Sequence, residues 1–217
     1  MKTILRSFIV TLLASIAVYG AETNNQSVEK IETYQVEQVT NYEFLPSIKV
    51  AAYLPTDSTY QGIYSNAPIY TFEFSAKVWK GLAPFASVSY LYNSGQLIGA
   101  NVSPNSTKLY MVPIGVGLKY FLKVGNFQPY LGVGVLASYN RITNTYPFIP
   151  SPQSRWAAGG VFKLGALADL ASNVFLDLFL DYNLIRVNFE NNTSKYVQLN
   201  RADLSGFALG AGLGMRF

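Results

Sequence analysis

Apolar and polar residues alternate with a period of two along most of the chain after residue 42. In residues 206–217, apolar side chains occupy every second position from Phe207 to Phe217, and mostly glycine and alanine stand between them. Successive side chains of a β-strand point to opposite faces, so this pattern predicts a strand with one apolar and one nearly bare face. Such a strand suits a membrane β-barrel, which places the apolar face in lipid.

Seven further segments show the same alternation, and most have the ~9–11 residues that a tilted strand needs to cross a bilayer. The breaks between them are alternately short and long, which is the arrangement of outer-membrane barrels. We therefore predict an all-β fold, an eight-stranded antiparallel up-and-down transmembrane β-barrel with short periplasmic turns and four longer external loops. The predicted strands are 43–53, 68–79, 84–92, 108–122, 127–139, 155–168, 174–186 and 205–217, the short turns 80–83, 123–126 and 169–173, and the loops 54–67, 93–107, 140–154 and 187–204.

The last predicted strand is expected to pair with the first, near residues 47–53, because this pairing removes both sheet edges. Glycine and alanine on the inward face fit a narrow barrel, whose interior is just wide enough for side chains to fill. Aromatic residues near the strand ends predict girdles at the two membrane interfaces.

Charged residues gather on the predicted inward face. Unpaired charges in a tight lumen are costly, so we expect them to pair with one another or to keep water. One interpretation is a salt-bridge network that fills the barrel and fixes the strand register; the alternative is a narrow polar passage in which these groups set ion preference. The predicted lumenal residues are Lys49, Glu73, Lys77, Lys119, Lys163, Asp177, Asp181 and Arg216.

The two lumenal aspartates do not suggest catalysis. Asp177 and Asp181 are four residues apart on one strand, roughly 13 Å by strand rise, which is too far for carboxylates that act together on one bond. Lys119 and Lys163 lie on strands that are not adjacent, and we expect them to neutralise the aspartates only across the lumen.

The N-terminus predicts export. Residues 1–21 combine basic Lys2 and Arg6 with a short apolar run and a small-residue end, as in a secretory signal peptide. Residues 22–42 are polar and form a predicted periplasmic tail. Removing the signal peptide leaves a net charge of +2, so nucleic-acid binding has no support. Only 13% of the residues are charged, and no later window of about 20 apolar residues predicts a transmembrane helix.

The residue types exclude several chemistries. The chain has no cysteine and no histidine, which argues against zinc and iron–sulfur sites, and we expect no cofactor or metal. Enzymes among small outer-membrane barrels generally depend on histidine. We therefore predict that the protein is not an enzyme.

Two features at the predicted membrane surfaces suggest partners. Four cations are predicted at the outer rim, where they would meet lipid phosphates, with lipopolysaccharide as a candidate ligand: Arg141, Arg155, Arg186 and Arg201. The C-terminal Phe217 is a candidate assembly signal as well as an interface anchor.

Three stretches of the chain form a recognisable set: residues 119–134, where an aromatic strand end and a polar turn precede Pro129-Tyr130-Leu131-Gly132-Val133-Gly134; Trp156-Ala157-Ala158-Gly159-Gly160; and the terminal Arg216-Phe217. In these stretches the chain resembles the small eight-stranded outer-membrane barrel families, including those related to outer-membrane protein W. The resemblance covers about residues 43–217. It implies insertion by the outer-membrane assembly machinery, which reads a C-terminal strand that ends in an aromatic residue, although Met215 stands where an aromatic residue is usual. Members related to protein W are thought to pass small hydrophobic molecules.

Three functional hypotheses follow. The first is an integral protein of the bacterial outer membrane with a structural or surface-interaction role and a lumen filled by charged residues. The second is a narrow channel or conduit for small solutes or hydrophobic molecules. The third is a soluble β-barrel that holds an apolar ligand, in which Ile114, Val116 and Leu118 would point inward.

Overall fold

The protein is described by a computed structural model that covers residues 42–97, 105–124, 127–145, 152–188 and 201–217. The predicted signal peptide and nearly all of the predicted polar tail lie outside these residues, so both stay predictions. The described chain contains one short helix and nine strands: β1 Glu43–Pro55, α1 Ser58–Ile63, β2 Ala67–Lys77, β3 Leu82–Leu97, β4 Asn105–Phe121, β5 Phe127–Asn144, β6 Gln153–Ala171, β7 Val174–Asn188, β8 Arg201–Asp203 and β9 Gly206–Met215.

Eight of the strands form a closed antiparallel barrel. Each strand from β1 to β7 pairs with its neighbour in the chain, and β9 pairs with both β7 and β1. The closing ladder runs from Ser47 opposite Gly214 to Pro55 opposite Gly206. The prediction that the last strand pairs with the first is therefore confirmed, and the eight wall strands leave no open sheet edge.

The two faces of the wall follow the predicted alternation. On β4, Ile114, Val116 and Leu118 are 45%, 51% and 50% exposed, whereas the inward Leu109 and Met111 are fully buried. The same parity holds on β9, where Leu209 and Leu213 point outward. A continuous apolar exterior of this kind is the lipid-facing surface of an outer-membrane β-barrel. The soluble alternative, which needed residues 114, 116 and 118 to point inward, is wrong.

The two ends of the barrel differ in their connections. At the turn end, β2 and β3, β4 and β5, and β6 and β7 are joined by short connections, and the first of these contains Lys80 and Gly81 with φ angles of 38° and 87°. The terminal Phe217 also lies at this end, where its backbone N–H and carbonyl both bond to Phe44. The opposite end, here called the loop end, carries the longer connections and is the external end of such barrels.

The strands extend further towards the loop end than the sequence predicted. β3 and β4 stay paired as far as Leu97 opposite Asn105, and β5 and β6 as far as Ile142 opposite Gln153. The sequence assigns residues 93–107 and 140–154 to loops because these segments are rich in Asn, Ser, Thr and Pro. Backbone pairing does not require apolar side chains, so the ladder continues beyond the apolar part of the wall.

The predicted loop 54–67 contains helix α1. Asp57 caps its N-terminus by accepting a hydrogen bond from the Tyr60 N–H at 2.9 Å. Tyr60 and Tyr64 are buried, and the Tyr64 hydroxyl lies 2.8 Å from Thr107 Oγ1 on β4. This connection is therefore attached to the loop end of the barrel. Within the described parts of the chain, no helix is both long and apolar enough to cross a membrane.

The loop-end half of the lumen is a packed core of apolar and uncharged polar side chains, and no charged side chain among the described residues is buried in it. Leu91, Leu109, Met111, Ile185 and Val187 are each completely buried there. Leu136 and Val161 also belong to this core, and Leu204 covers it beside β8. The half of the lumen nearer the turn end is different, because six charged side chains are buried there among apolar and aromatic residues such as Phe85, Phe175 and Phe179.

Candidate functional site

Six charged side chains meet inside the barrel and form what we call the central cluster: Lys49, Glu73, Lys119, Lys163, Asp177 and Asp181. All occupy inward positions of wall strands, and none is more than 6% exposed. They come from β1, β2, β4, β6 and β7, so the cluster extends across the lumen. Three lysines face three carboxylates, and the cluster is formally neutral.

Glu73 is the carboxylate that the three lysines share. Its Oε1 lies 2.8 Å from Lys49 Nζ and also pairs with Lys119, while its Oε2 lies 3.0 Å from Lys163 Nζ. Because one carboxylate neutralises parts of three cations, its removal would leave an excess of buried positive charge.

The two aspartates each bind one of these lysines. Asp177 Oδ2 lies 2.5 Å from Lys49 Nζ, and Asp181 Oδ2 lies 2.5 Å from Lys163 Nζ. Lys163 and Asp181 are direct cross-strand partners on β6 and β7. The expectation that Lys163 reaches an aspartate only across the lumen was therefore wrong, because it ignored the register of neighbouring strands.

Aromatic rings enclose the central cluster. Tyr130 donates a hydrogen bond from its hydroxyl to Asp177 Oδ1 at 2.9 Å, and its ring centre lies 4.3 Å from Lys119 Nζ. Lys49 Nζ is 4.9 Å from the Phe179 ring centre, and Lys163 Nζ is 5.2 Å from that of Phe85. Cations over aromatic faces are electrostatically favourable, so these rings add to the stability of the buried lysines. The sequence analysis did not identify Tyr130 as a member of the site.

Glycine in the wall makes room for the lysine side chains. A Cβ atom on Gly132 would lie 3.0 Å from Lys119 Cγ and 3.2 Å from Lys163 Cβ, and one on Gly212 would lie 2.7 Å from Lys49 Cγ. Both glycines stand directly opposite a cluster lysine in the sheet register. The bare inward face that the sequence showed is therefore occupied by side chains from neighbouring strands.

The other two predicted lumenal residues form a separate group, the turn-end cluster. Lys77 Nζ lies 2.8 Å from Glu43 Oε2 and 2.5 Å from Gln128 Oε1. Arg216 Nε lies 2.8 Å from Glu43 Oε1, and its Nη2 lies 2.7 Å from Asp169 Oδ1. These four charged side chains are 15–34% exposed, so they line the mouth of the barrel in contact with solvent. Sequence reasoning did not identify Glu43 and Asp169 as their partners.

The predicted rim cations do not share one surface. Arg141 and Arg186 point outward from β5 and β7, whereas Arg155 belongs to the inward register of β6 together with the buried Ala157. Arg201 begins β8, but its side chain is outside the described set. Arg186 Nε lies 3.5 Å from Asp203 Oδ2. Although partial burial opposes it, hydrogen bonding from Ser205, together with Arg186, lowers the pKa of Asp203 below its usual range.

Aromatic side chains form pairs on the outer face near the loop end. The ring centres of Tyr92 and Tyr110 are 5.0 Å apart, and those of Tyr139 and Trp156 are 5.4 Å apart. Phe217 at the turn end is 70% exposed.

Among the described residues, no group of three acidic side chains is arranged to hold a metal ion.

No protein-family model matches the sequence, and no curated protein matches it either. Solved structures do match the fold. The outer membrane protein OprG from Pseudomonas aeruginosa is 14% identical, with a TM-score of 0.59 over 81% of this chain and 95% of that one. The attachment invasion locus protein Ail of Yersinia pestis, solved in complex with the heparin analogue sucrose octasulfate, is 13% identical, with a TM-score of 0.53 over 81% and 99%.

A major outer membrane protein from Thermus thermophilus is 14% identical, with a TM-score of 0.51 over 82% of this chain and all of that one. At sequence identities of 13–14%, the similarity to these structures shows a shared fold only. The closed eight-stranded barrel and its apolar exterior are those of a small integral outer-membrane protein. The predicted fold class and location are confirmed at this level.

Proposed function

We propose that this protein is a closed outer-membrane barrel with a structural or surface-interaction role rather than a route for solutes. The observation that carries the proposal is the central cluster, in which six buried charges pair across the lumen. The apolar core of the loop-end half lies on the same axis and leaves its largest side chains fully buried. A solute would have to disrupt both layers in order to pass.

Conductance in planar bilayers tests the proposal. The purified protein should give no steady openings, because the ion pairs and the apolar core occupy the lumen. Steady openings of the wild-type protein that change in size on Lys119→Ala or Asp177→Ala would overturn the proposal. Lys123→Ala is the matched control, since Lys123 is an exposed lysine outside the lumen.

A narrow channel is the second candidate function. It is favoured by the lysines of the central cluster that are shared between two carboxylates. Lys49 and Lys163 each contact two carboxylates, so each could exchange one partner for another. Asp181 Oδ1 is buried and has no hydrogen-bond partner among the described residues. A rearranged cluster that admits water would be a polar passage of the kind found in selective pores. Brief openings in the wild-type protein that become longer in Asp181→Asn would support this candidate.

We further propose assembly by the outer-membrane insertion machinery, with Phe217 as the recognised terminal aromatic residue. Phe217 is exposed and lies two residues beyond β9, the strand that closes the barrel, with its backbone bonded to Phe44. In Phe217→Ser, insertion in cells should fall while refolding of purified protein into detergent is retained. An equal loss in both measurements would mean that Phe217 stabilises the folded barrel and is not an assembly signal.

Membership of the families related to protein W and the lack of enzymatic activity stay predictions.

A further inference from the structure

Charge is distributed unevenly around the barrel wall. Residues 74–168, which include β3, β4, β5 and most of β6, contain eight lysines and arginines and no aspartate or glutamate. Cations on this wall can therefore find carboxylates only on other parts of the chain.

Several of these cations do find such partners. Lys119 and Lys163 pair with Glu73 and Asp181 inside the lumen, and Lys77 pairs with Glu43 at the turn end. Lys80 and Lys123 lie in the turn-end connections. The remaining exposed cations at the loop end of the wall, among the described residues, are Lys108 and Arg141.

Lys108 and Arg141 lie next to each other on the outer face. Tyr110 stands directly opposite Arg141 in the ladder between β4 and β5, and Lys108 stands opposite Thr143. Lys108 and Arg141 are therefore diagonal neighbours on one face, roughly 7–8 Å apart at their Cα atoms and within reach of a common ligand. Among the described residues, neither takes part in a salt bridge, whereas Arg186 on the same rim pairs with Asp203.

Aromatic residues fix the depth of this pair in the membrane. Tyr110, Tyr139 and Trp156 lie on the same outer face. Tyr110 stands directly opposite Arg141, and the opposed pair Tyr139 and Trp156 lies two residues nearer the centre of the wall than Arg141. Tyrosine and tryptophan of barrel girdles sit at the level of the lipid headgroups. Lys108 and Arg141 are thus at the height of the phosphates, with the apolar wall directly below them.

We propose that Lys108 and Arg141 bind the phosphate of a phosphorylated lipid in the outer leaflet. Arg141 donates paired hydrogen bonds to phosphate oxygens, and Lys108 supplies a second cation. Tyr139 and Trp156 contact the upper part of the lipid, and its acyl chains lie along the β4–β6 exterior. The proposal goes beyond the closed-barrel function and does not depend on whether the lumen conducts. The sequence-based group of four arginines did not include Lys108.

Tryptophan fluorescence in detergent micelles tests the proposal. The chain has two tryptophans, Trp79 at the turn end and Trp156 beside the proposed site, so Trp79→Phe leaves Trp156 as the only reporter. The probe is bisphosphorylated lipid A, titrated in parallel with its dephosphorylated form and with inorganic phosphate. In Lys108→Gln/Arg141→Gln, the affinity for the phosphorylated lipid should fall about tenfold, as expected for the loss of two partly exposed charge contacts.

Arg141→Gln and Arg186→Gln form the matched pair of single variants. Both remove an outward arginine from the same rim, but Arg186 has its own carboxylate, so only Arg141→Gln should weaken lipid binding. Heat-modifiable gel mobility verifies that each variant is folded. Wild-type affinity in the double variant, or equal losses in the two single variants, would overturn the proposal. Equal binding of the dephosphorylated lipid would overturn the phosphate contact, and equal binding of inorganic phosphate would overturn the choice of a lipid.

Discussion

The two halves of the lumen differ in the buried charge that they contain. The loop-end half is packed like the core of a soluble protein, with Leu109 and Met111 on β4 fully buried among other apolar side chains. The half nearer the turn end holds the central cluster, and Lys119, on the same strand, reaches Glu73. One strand thus contributes an apolar residue to one half and a buried cation to the other.

The two halves of the lumen should therefore differ in how well each tolerates amino-acid substitution. An apolar core is stabilised by burial and close packing, and a volume-conserving substitution there is usually tolerated. A buried ion cluster is costly to form, and it becomes strongly destabilising when a single member is removed. The central cluster also requires particular strand registers, since Lys163 meets Asp181 only when β6 and β7 are correctly aligned.

Removal of Glu73 should have the largest effect. In Glu73→Gln three lysines would face two aspartates, so we expect the free energy of unfolding to fall by about 3–5 kcal/mol. Urea unfolding in micelles, followed by gel mobility, measures the change. The double variant Glu73→Gln/Lys119→Gln restores charge balance and should recover part of the loss. A cost below about 1 kcal/mol for the single variant would mean that the cluster contributes little to stability.

Truncation in the apolar half should cost somewhat less. Leu109→Ala removes a fully buried side chain and leaves a cavity, so we expect a loss of about 2–4 kcal/mol. A second substitution that balances charge in the central cluster should not restore this lost stability. Ile114→Ala on the lipid face of the same strand is the control, and its loss should be smaller. Equal losses would contradict the view that this half is a packed core.

Packing around the central cluster can be tested without changing a charge. A Cβ atom on Gly134 would lie 2.5 Å from the Val116 carbonyl oxygen and 2.9 Å from the Phe85 ring, whereas one on Gly160 would find its nearest neighbour, the Gly134 carbonyl oxygen, at 3.7 Å. Gly134→Ala should therefore cost about 1–3 kcal/mol, and Gly160→Ala much less. Thermal unfolding of the two variants measures the difference. A similar loss in both would show that the close contacts at Gly134, with the Val116 carbonyl and the Phe85 ring, are unimportant.

Loss of the salt bridge between Arg186 and Asp203 at the outer rim should have the smallest effect on stability. Asp203→Asn removes a partly exposed salt bridge, and we expect a loss below about 1 kcal/mol at neutral pH. Because the pKa of Asp203 is lowered in the folded state, its contribution is present at neutral pH and is lost as the pH falls through that lowered value. Unfolding measured across the acid range should show the wild type and the variant converging. A difference that grows with acidity would contradict the assignment.

The strands and their two faces could be predicted because a period of two is a local property of the sequence. The parity of β4 and β9 alone separates lipid-facing leucines from inward glycines. The ends of β3 and β5 were missed because polar residues such as Asn93 and Asn140 can continue a ladder without any apolar signal. Helix α1 was missed for a similar reason, since six residues with a single buried tyrosine carry no clear helical periodicity.

The membership of the charged face was predicted, but its pairing was not. Parity determines that Lys163 and Asp181 point inward, whereas their contact depends on the register between two strands. The partners of Lys77 and Arg216, Glu43 and Asp169, lie at strand ends, where alternation is weakest. Both corrections therefore arise from tertiary alignment rather than from the local pattern.

The closing ladder between β1 and β9 affects the order in which the strands pair when the barrel forms. It joins the first and last strands, and its final hydrogen bonds connect Phe44 with the last residue, Phe217. Contacts between such distant parts of a chain form late, because the intervening segment must be ordered first. A barrel in which β9 had not yet paired with β1 would carry two unpaired strand edges facing lipid, so formation of this ladder is required for a stable position in the bilayer.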